Sequence, residues 1–264
     1  MKITVCIKQV PGTSEVEVDE KTGVLKRDGI DSKMNPYDLF ALESAIRIKQ
    51  QFATEVTAIT MGPPQAEEII REAYMMGADD GVILSDRRFA GSDVLATAYT
   101  LSQGIARDGI PDLIICGKQT TDGDTAQVGP EIAEFLNIPH VADVRKIIDL
   151  TSEHIKVEMD MPQTVEVVEV KLPALITVAK DINEPRLPSF KLKLASAGRP
   201  VKRLSLDDFS DQDEMNYGLN GSPTQVIKIF PPPANDDHEI WEGSTTELAG
   251  RLFEQLSEKK FLQR

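Results

Sequence analysis

Short apolar runs alternate with stretches of helical spacing along the first half of the chain. The apolar runs cover residues 3–7, 56–60, 81–84 and 113–116, and the helical stretches cover residues 37–50, 65–76, 92–107 and 126–136. An apolar run of this length, bounded by turn residues, is typical of a strand that is buried on both faces. The alternation predicts a doubly wound α/β fold with a mostly parallel, Rossmann-like sheet, whose ligands bind at the carboxyl ends of the strands.

From residue 141 the pattern changes to an alternation with a period of two. Apolar and polar residues alternate over residues 155–159 and 165–170, ahead of an apolar run at 174–178. This period is typical of half-buried antiparallel strands. We therefore expect antiparallel strands appended to the parallel sheet, and a first domain that covers residues 1–185.

Prolines punctuate residues 186–264, and the strand pattern stops. One amphipathic helix is predicted near the end, over residues 244–259. The segment has too few periodic apolar positions for a core of its own, so it is either disordered or an arm laid on another chain. Scattered apolar residues favour the arm: Leu187, Phe190, Leu192, Leu194, Ile227, Ile229 and Phe230.

Charge and cysteine content exclude several classes of protein. The net charge is −14 at pH 7, which argues against a nucleic acid partner, because phosphate backbones need a basic surface. Cys6 and Cys116 both lie in apolar runs and the three histidines are far apart, so we expect free buried thiols and no metal site. No apolar run approaches the roughly 20 residues that span a bilayer, and no signal peptide precedes the first strand, which predicts a cytoplasmic protein.

The segment over residues 111–139 contains the most specific candidate site. Gly117 permits a sharp turn after a buried strand, and the polar loop that follows leads into a helix. Loop hydroxyls, backbone N–H groups and the positive end of the helix suit a nucleotide phosphate. The candidate ligand residues are Gly117, Lys118, Gln119, Thr120, Thr121, Asp122, Gly123, Asp124, Thr125, Ala126, Gln127 and Val128.

Asp122 and Asp124 would repel a phosphate that they faced. We therefore expect them to cap the helix, bind ribose hydroxyls or orient the loop amides. An ordinary strand-to-helix turn is the alternative interpretation of the whole segment.

Other candidate residues follow the remaining predicted strands at the same edge of the sheet. They are Lys8, Met61, Gly62, Arg87, Gly91, Ser92, Asp93 and Thr97. An arginine and a helix start suit phosphate or ribose groups. The alternatives are a solvated Lys8, one solvent-facing member of the pair Arg87 and Arg88, and a plain helix cap at Asp93.

Several segments, taken in order, resemble the beta subunit of electron-transfer flavoproteins. They are MKITVCIKQVPGT at 1–13, DGIDSKMNPYDLFALESAIRIK at 28–49, ITMGPP at 59–64, MGADDGVILSDRRFAGSD at 76–93, the Gly117 loop and KLPALITVAKDINEPR at 171–186. The resemblance implies a heterodimer in which a larger alpha subunit carries one FAD. It implies that this chain binds AMP or a second FAD at its own sheet edge. The hairpin tip at 157–164 departs from the usual acidic, glycine-rich pattern of the family.

The resemblance also implies roles for residues that precede the Gly117 loop. The backbone of Asn35, Pro36, Tyr37 and Asp38 would hold the adenine, and Cys6 would lie beside the adenosine. A simple helix cap at Asn35 and a buried thiol at Cys6 that packs as a small hydrophobic group are the alternatives.

The Gly117 loop resembles most closely the electron-bifurcating branch of this family. Small residues at Gly123, Thr125 and Ala126 leave room for an isoalloxazine. In this interpretation NADH reduces an FAD bound here, one electron goes to the FAD of the alpha subunit, and one goes to ferredoxin or flavodoxin. Two alternatives are a conventional electron carrier that holds AMP as a structural ligand, and a lone nucleotide-binding signalling or adenylating protein.

A separate docking segment follows the NEPR sequence at 183–186. By resemblance, Leu187, Phe190 and Leu192 would contact a flavin-dependent dehydrogenase of the acyl-CoA or lactate type, with Phe190 as the anchor. The alternative is that this segment packs on the alpha subunit.

Overall fold

The computed structural model describes residues 1–12, 32–227 and 238–262. Its strands are β1 (Lys2–Cys6), β2 (Gln9–Pro11), β3 (Ser32–Met34), β4 (Glu55–Met61), β5 (Asp80–Leu84), β6 (Leu113–Gly117), β7 (His140–Leu150), β8 (His154–Asp160), β9 (Val165–Lys171), β10 (Ala174–Val178) and β11 (Lys202–Leu204). Its α-helices are α1 (Pro36–Gln51), α2 (Glu67–Met76), α3 (Val94–Ala106), α4 (Val128–Leu136), α5 (Phe190–Ser196) and α6 (Thr245–Glu258). None of the helices in this described part of the chain is long and apolar enough to cross a membrane.

Nine strands form one sheet in the order β11-β5-β4-β1-β6-β10-β7-β8-β9. All neighbouring pairs from β11 to β7 are parallel, whereas β7, β8 and β9 pair antiparallel. The predicted mostly parallel α/β fold with appended antiparallel strands is confirmed. One strand is unexpected in its place: β10 follows the antiparallel strands in sequence but lies parallel between β6 and β7, with all five residues buried.

Helices cover both faces of the parallel strands. Along β6, Leu113 and Ile115 belong to the core cluster that includes residues of α1 and α2, while Ile114 and Cys116 belong to the cluster that includes residues of α3 and α4. Successive side chains of a strand point to opposite faces, so a strand covered by helices on both sides must be apolar throughout. This requirement explains why the apolar runs located the parallel strands so closely.

Residues 1–227 form one compact unit, which extends beyond residue 185. The strand β11 pairs with β5, although the sequence pattern predicted no strand beyond residue 183. Phe209 and Tyr217 are buried, and Phe209 stacks on Phe89 with ring centroids 5.6 Å apart. Buried aromatic rings of this kind contribute strongly to a core, so residues 202–217 belong to it.

Residues 228–264 form a second unit. The helix α6 begins with a capping box between Ser244 and Glu247 and confirms the helix predicted over 244–259. Ile229 and Phe230, which we expected to pack on another chain, lie outside the described residues.

We expect Gly218→Ala to lower the free energy of unfolding more than Gly109→Ala does. Both glycines have a positive φ, of 56° and 96°, so an alanine is strained at each. A Cβ at Gly218 would lie 2.1 Å from the carbonyl oxygen of Arg88, whereas one at Gly109 would meet nothing within 4 Å. Urea unfolding should show an extra loss of about 1–3 kcal/mol for Gly218→Ala. Equal losses would contradict a close backbone approach at Gly218.

Candidate functional site

The loops after β1 and β6 lie side by side at the carboxyl edge of the sheet. The two strands pair in parallel, with Cys6 in register with Cys116. The backbone N–H of Asn35 donates to the carbonyl oxygen of Lys8 at 2.9 Å, which brings the start of α1 to the same place. The structure thus gathers three segments that the sequence offered as separate candidates.

Asn35 is fully buried and connects the start of α1 to the loop after β6. Its Nδ2 donates to the carbonyl oxygen of Gln119 at 2.9 Å, and its Oδ1 accepts from the backbone N–H of Thr121 at 3.2 Å. Asn35 occupies the N-cap position of α1, but its side chain makes no capping hydrogen bond. The interpretation of Asn35 as a simple helix cap is therefore wrong.

Asp38, in the first turn of α1, is the only buried carboxyl group of the described residues at this edge of the sheet, with 5% of its surface exposed. Its Oδ2 accepts from the backbone N–H of Lys8 at 2.7 Å. Burial raises the pKa of Asp38 to about 7, although hydrogen bonds from Asn35 and the Lys8 backbone oppose this rise. The group therefore titrates near neutral pH.

Gly117 is required by the close approach of α1. A Cβ at this position would lie 2.4 Å from Oδ1 of Asp38 and 2.7 Å from the carbonyl carbon of Tyr37. A side chain at Gly117 would therefore collide with the first turn of the neighbouring helix.

The polar loop after β6 is exposed over residues 121–127, and two of its residues have a left-handed backbone: Asp124 with φ 53° and Ala126 with φ 57°. The Asp124 N–H donates to the carbonyl oxygen of Thr120 at 2.9 Å, and the Asp124 side chain accepts a hydrogen bond from Gln119. No side chain among the described residues caps α4, which begins at Val128. Its first turn offers an anion the backbone N–H groups of Val128 and Gly129, since Pro130 has none.

Asp122 orients Lys8 and does not cap α4. The Lys8 Nζ lies 2.7 and 2.8 Å from the two carboxylate oxygens of Asp122. Burial alone would raise the pKa of Asp122, but the Lys8 ammonium outweighs it and holds this pKa below its usual value. Lys8 is therefore held across the edge of the sheet and is not simply solvated.

The loop after β5 is fixed mainly by its own contacts. Arg88 pairs with Asp86 at 2.6 Å and with Asp207 at 3.0 Å, while its neighbour Arg87 is exposed. Asp93 caps α3 through the Ala96 N–H at 3.1 Å and also accepts from the hydroxyl of Thr224 at 2.7 Å.

The remaining candidates near this loop have local partners. Ser92 Oγ donates to the carbonyl oxygen of Phe89 at 2.8 Å, and the Thr97 N–H donates to that of Asp93 at 3.0 Å. Gly91 has φ 77° and lies against Leu219. Ligand contacts at Arg87, Gly91, Ser92, Asp93 and Thr97 stay predictions, and so do those of Met61 and Gly62 after β4.

The start of α3 lies near the start of α4. Burial raises the pKa of Glu131 in α4, and the charge of Asp93 raises it further.

The predicted docking segment is anchored on α1. Asn183 Nδ2 donates to Ser44 Oγ at 2.8 Å, and Arg186 Nε donates to the buried carboxylate of Glu43 at 2.7 Å. The segment itself contains the short helix α5. Leu187 and Phe190 are 87% and 73% exposed, whereas Leu192 is half-buried. The structure thus presents two of the three predicted contact residues to solvent.

Sequence patterns missed Asp143. Its carboxylate lies 3.1 Å from Lys118 Nζ, and its backbone N–H donates to Thr177 Oγ1 at 3.1 Å. Its φ of 55° coincides with an irregularity in the pairing of β7 with β10. No sequence signal could have found it, because the contact depends on the insertion of β10 beside β6.

We expect Asp38→Asn to make the free energy of unfolding less dependent on pH. A carboxyl group whose pKa is about 7 in the folded protein, above its ordinary value of 3.8, holds its proton only in the folded state between these values. Stability therefore falls as pH rises from about 4 to about 7.

The Asp38→Asn variant has no carboxyl group at this position and should not lose stability in this way as pH rises. Between pH 5 and 7 the unmodified protein should lose up to about 1.4 kcal/mol per pH unit relative to Asp38→Asn. Urea unfolding of nucleotide-free protein across this range measures the difference. Parallel pH profiles for the two proteins would contradict a raised pKa at Asp38.

Comparison with known proteins identifies a family. The model of the electron transfer flavoprotein domain matches residues 22–209. The chain is 45% identical to the electron transfer flavoprotein subunit beta of Thermoanaerobacterium thermosaccharolyticum, over 98% of this chain and 99% of that protein. It is 44% identical to the caffeyl-CoA reductase-Etf complex subunit CarD of Acetobacterium woodii, over 99% and 100%. It is 44% identical to protein FixA of Azorhizobium caulinodans, over 89% and 85%.

Proposed function

The chain belongs to the electron transfer flavoprotein family as a beta subunit, and we propose that it binds FAD at the loop after β6 and takes part in electron bifurcation. Membership of the family implies electron transfer, an alpha subunit as partner, and a flavin or AMP as ligand. Our proposal adds the choice of FAD, with NADH as electron donor and ferredoxin or flavodoxin as one acceptor. We propose that the complex works in the cytoplasm.

The open loop over residues 118–127 is the observation that carries this proposal. Its exposed tip is built from small residues at Gly123 and Ala126, and it leads into an uncapped helix α4. A pyrophosphate suits the N–H groups of Val128 and Gly129 at the start of α4. The backbone of residues 35–38 would hold the adenine, and Lys8 would contribute positive charge.

The bound flavin would supply the redox chemistry. The chain's own contribution is to bind and orient it. Lys8, Asn35 and Asp38 fix the positions of the surrounding loops through the contacts described above. Strain at Asp124 and Ala126, both at positive φ, indicates that the loop holds a defined shape at a cost in stability.

Residues beyond the sheet would serve the partners. We propose that Leu187, Phe190 and Leu192 dock a flavin-dependent dehydrogenase, of the acyl-CoA or lactate type. We also propose that the C-terminal unit lies on the alpha subunit, since Leu252 and Phe253 of α6 are 51% and 64% exposed. One relative is named as a subunit of a caffeyl-CoA reductase-Etf complex, which supports a dehydrogenase that acts on CoA thioesters.

We expect the complex purified with its alpha subunit to contain one FAD in each subunit and no AMP. Denaturing release followed by chromatography measures both nucleotides, and anaerobic titration with NADH should bleach the flavin absorbance. One FAD together with one AMP, and no response to NADH, would contradict the bifurcating function and indicate a conventional electron carrier.

We expect Phe190→Ala to raise the KM for acyl-CoA dehydrogenase in electron-transfer assays by at least about thirtyfold. An exposed aromatic anchor at the centre of a small interface contributes about 2 kcal/mol or more when it is buried by a partner. Met215→Ala is the matched control, because Met215 is 63% exposed but lies outside the docking segment. An unchanged KM with Phe190→Ala, at unchanged flavin content, would exclude this segment as the dehydrogenase site.

A further inference from the structure

The carboxylate of Asp38 joins the start of α1 to the loop after β1 and packs against the end of β6. It belongs to the first turn of α1, and its Oδ2 accepts a hydrogen bond from the backbone N–H of Lys8 at 2.7 Å. At the end of β6, a Cβ at Gly117 would lie 2.4 Å from its Oδ1. The nearby N-terminus of α1 favours a negative charge at this position. Hydrogen bonds to a charged acceptor are stronger than those to a neutral one.

The geometry leaves little room for a ligand to touch this carboxylate. Only 5% of the surface of Asp38 is exposed. Its Oδ2 accepts from the backbone N–H of Lys8, and its Oδ1 lies 2.4 Å from the position that a Cβ at Gly117 would take. A direct role in binding would require a free, accessible oxygen. Asp38 must therefore act through the segments that it holds.

Lys8 is fixed at both ends by acidic groups. Asp38 holds its backbone N–H at 2.7 Å, and Asp122 of the loop after β6 holds its Nζ at 2.7 Å. Asn35 ties the same loop to α1 through Gln119 and Thr121. The distance between Lys8 and the polar loop is consequently set by contacts that start from α1.

We propose that Asp38 is a positioning residue whose ionised carboxylate sets the separation between Lys8 and the loop over residues 118–127, and thereby the affinity for the nucleotide. The inference rests on the proposed nucleotide site and adds a dependence on pH. A protonated carboxyl group has one acceptor oxygen fewer, and its bond from the Lys8 N–H is no longer to a charged acceptor. Protonation of Asp38 should therefore loosen the site.

The charged and titratable groups around Asp38 are consistent with a change near neutral pH. Lys8, from the loop after β1, favours the ionised form. Cys116, from β6, carries a neutral thiol, because Cys6 and burial raise its pKa. Asp122 is paired with Lys8, whose backbone N–H in turn donates to Asp38. Burial raises the pKa of Asp38 to about 7, so that both forms are populated in the accessible range.

Binding of FAD and of AMP to the nucleotide-depleted heterodimer, measured by calorimetry between pH 6 and 8, tests this role. FAD is the main probe because its pyrophosphate does not titrate in this range. We expect the dissociation constant of the unmodified protein to rise about tenfold from pH 8 to pH 6. Asp38→Asn should bind about tenfold more weakly at pH 8, with little further change down to pH 6.

Glu72→Gln is the matched control, since burial raises the pKa of Glu72 also, but this residue lies on α2. This variant should keep both the affinity and the pH profile of the unmodified protein. If Asp38→Asn does not assemble with the alpha subunit, Asp38→Glu replaces it and should move the midpoint of the pH profile.

Three outcomes would overturn the proposal. One is an affinity of Asp38→Asn equal to that of the unmodified protein at every pH. Another is a pH profile of Asp38→Glu that coincides with the unmodified one. The third is a heterodimer that binds neither FAD nor AMP, which would contradict the proposed nucleotide site itself. This outcome is distinct from the other two, in which binding persists.

Discussion

The union of three chain segments through two buried polar side chains is the constraint on which the site depends. Buried polar groups must find hydrogen-bond partners, because an unsatisfied one costs about 1–3 kcal/mol. Asn35 and Asp38 find theirs in the backbone of Lys8, Gln119 and Thr121. Those loops therefore take up fixed positions relative to α1, and the Lys8 to Asp122 ion pair and the open start of α4 follow from them.

This arrangement costs stability. Asp38 is buried with a raised pKa, so its ionisation at neutral pH opposes folding. Non-glycine residues with a left-handed backbone also gather near this edge, at Asp124, Ala126 and Asp143. Strain of this kind persists where the surrounding structure enforces it and is common at functional sites. Binding of the proposed nucleotide to the folded state would raise the free energy of unfolding and offset part of this loss.

Helix α1 links the two proposed functional regions of the subunit. Its first turn organises the nucleotide loops through Asp38, and its middle holds the docking segment through Glu43 and Ser44. A helix of 16 residues is a rigid connection over this distance. The position of the docking segment relative to the proposed flavin is therefore determined by one element.

The sequence predicted the fold well where each element depends on its own neighbours along the chain. Strands buried on both faces are apolar throughout, so β1, β4, β5 and β6 were located within one residue. The place of β10 and the existence of β11 depend on pairing with distant strands, and three residues of β11 are too few for a pattern. The antiparallel pair of β2 and β3 was missed for the same reason, since each strand has three residues.

The residues of the candidate site were also predicted where their signals are local and missed where their contacts are distant in sequence. The Gly117 loop and residues 35–38 stood out because glycine, hydroxyl groups and helix starts have local signatures. Three contacts in this region join residues far apart in sequence. They are the ion pair of Lys8 with Asp122, the hydrogen bond from Thr224 to Asp93 and the ion pair of Lys118 with Asp143. Only the folded chain shows which of these side chains already form an ion pair or a hydrogen bond within the protein.

Hydrogen–deuterium exchange of the heterodimer, with and without its nucleotide, tests most directly whether the loops held by α1 form the nucleotide site. We expect bound nucleotide to slow exchange at residues 117–128 and at the start of α1, with little change in β8 and β9. Protection that leaves residues 117–128 unchanged and appears elsewhere on the subunit would contradict this assignment.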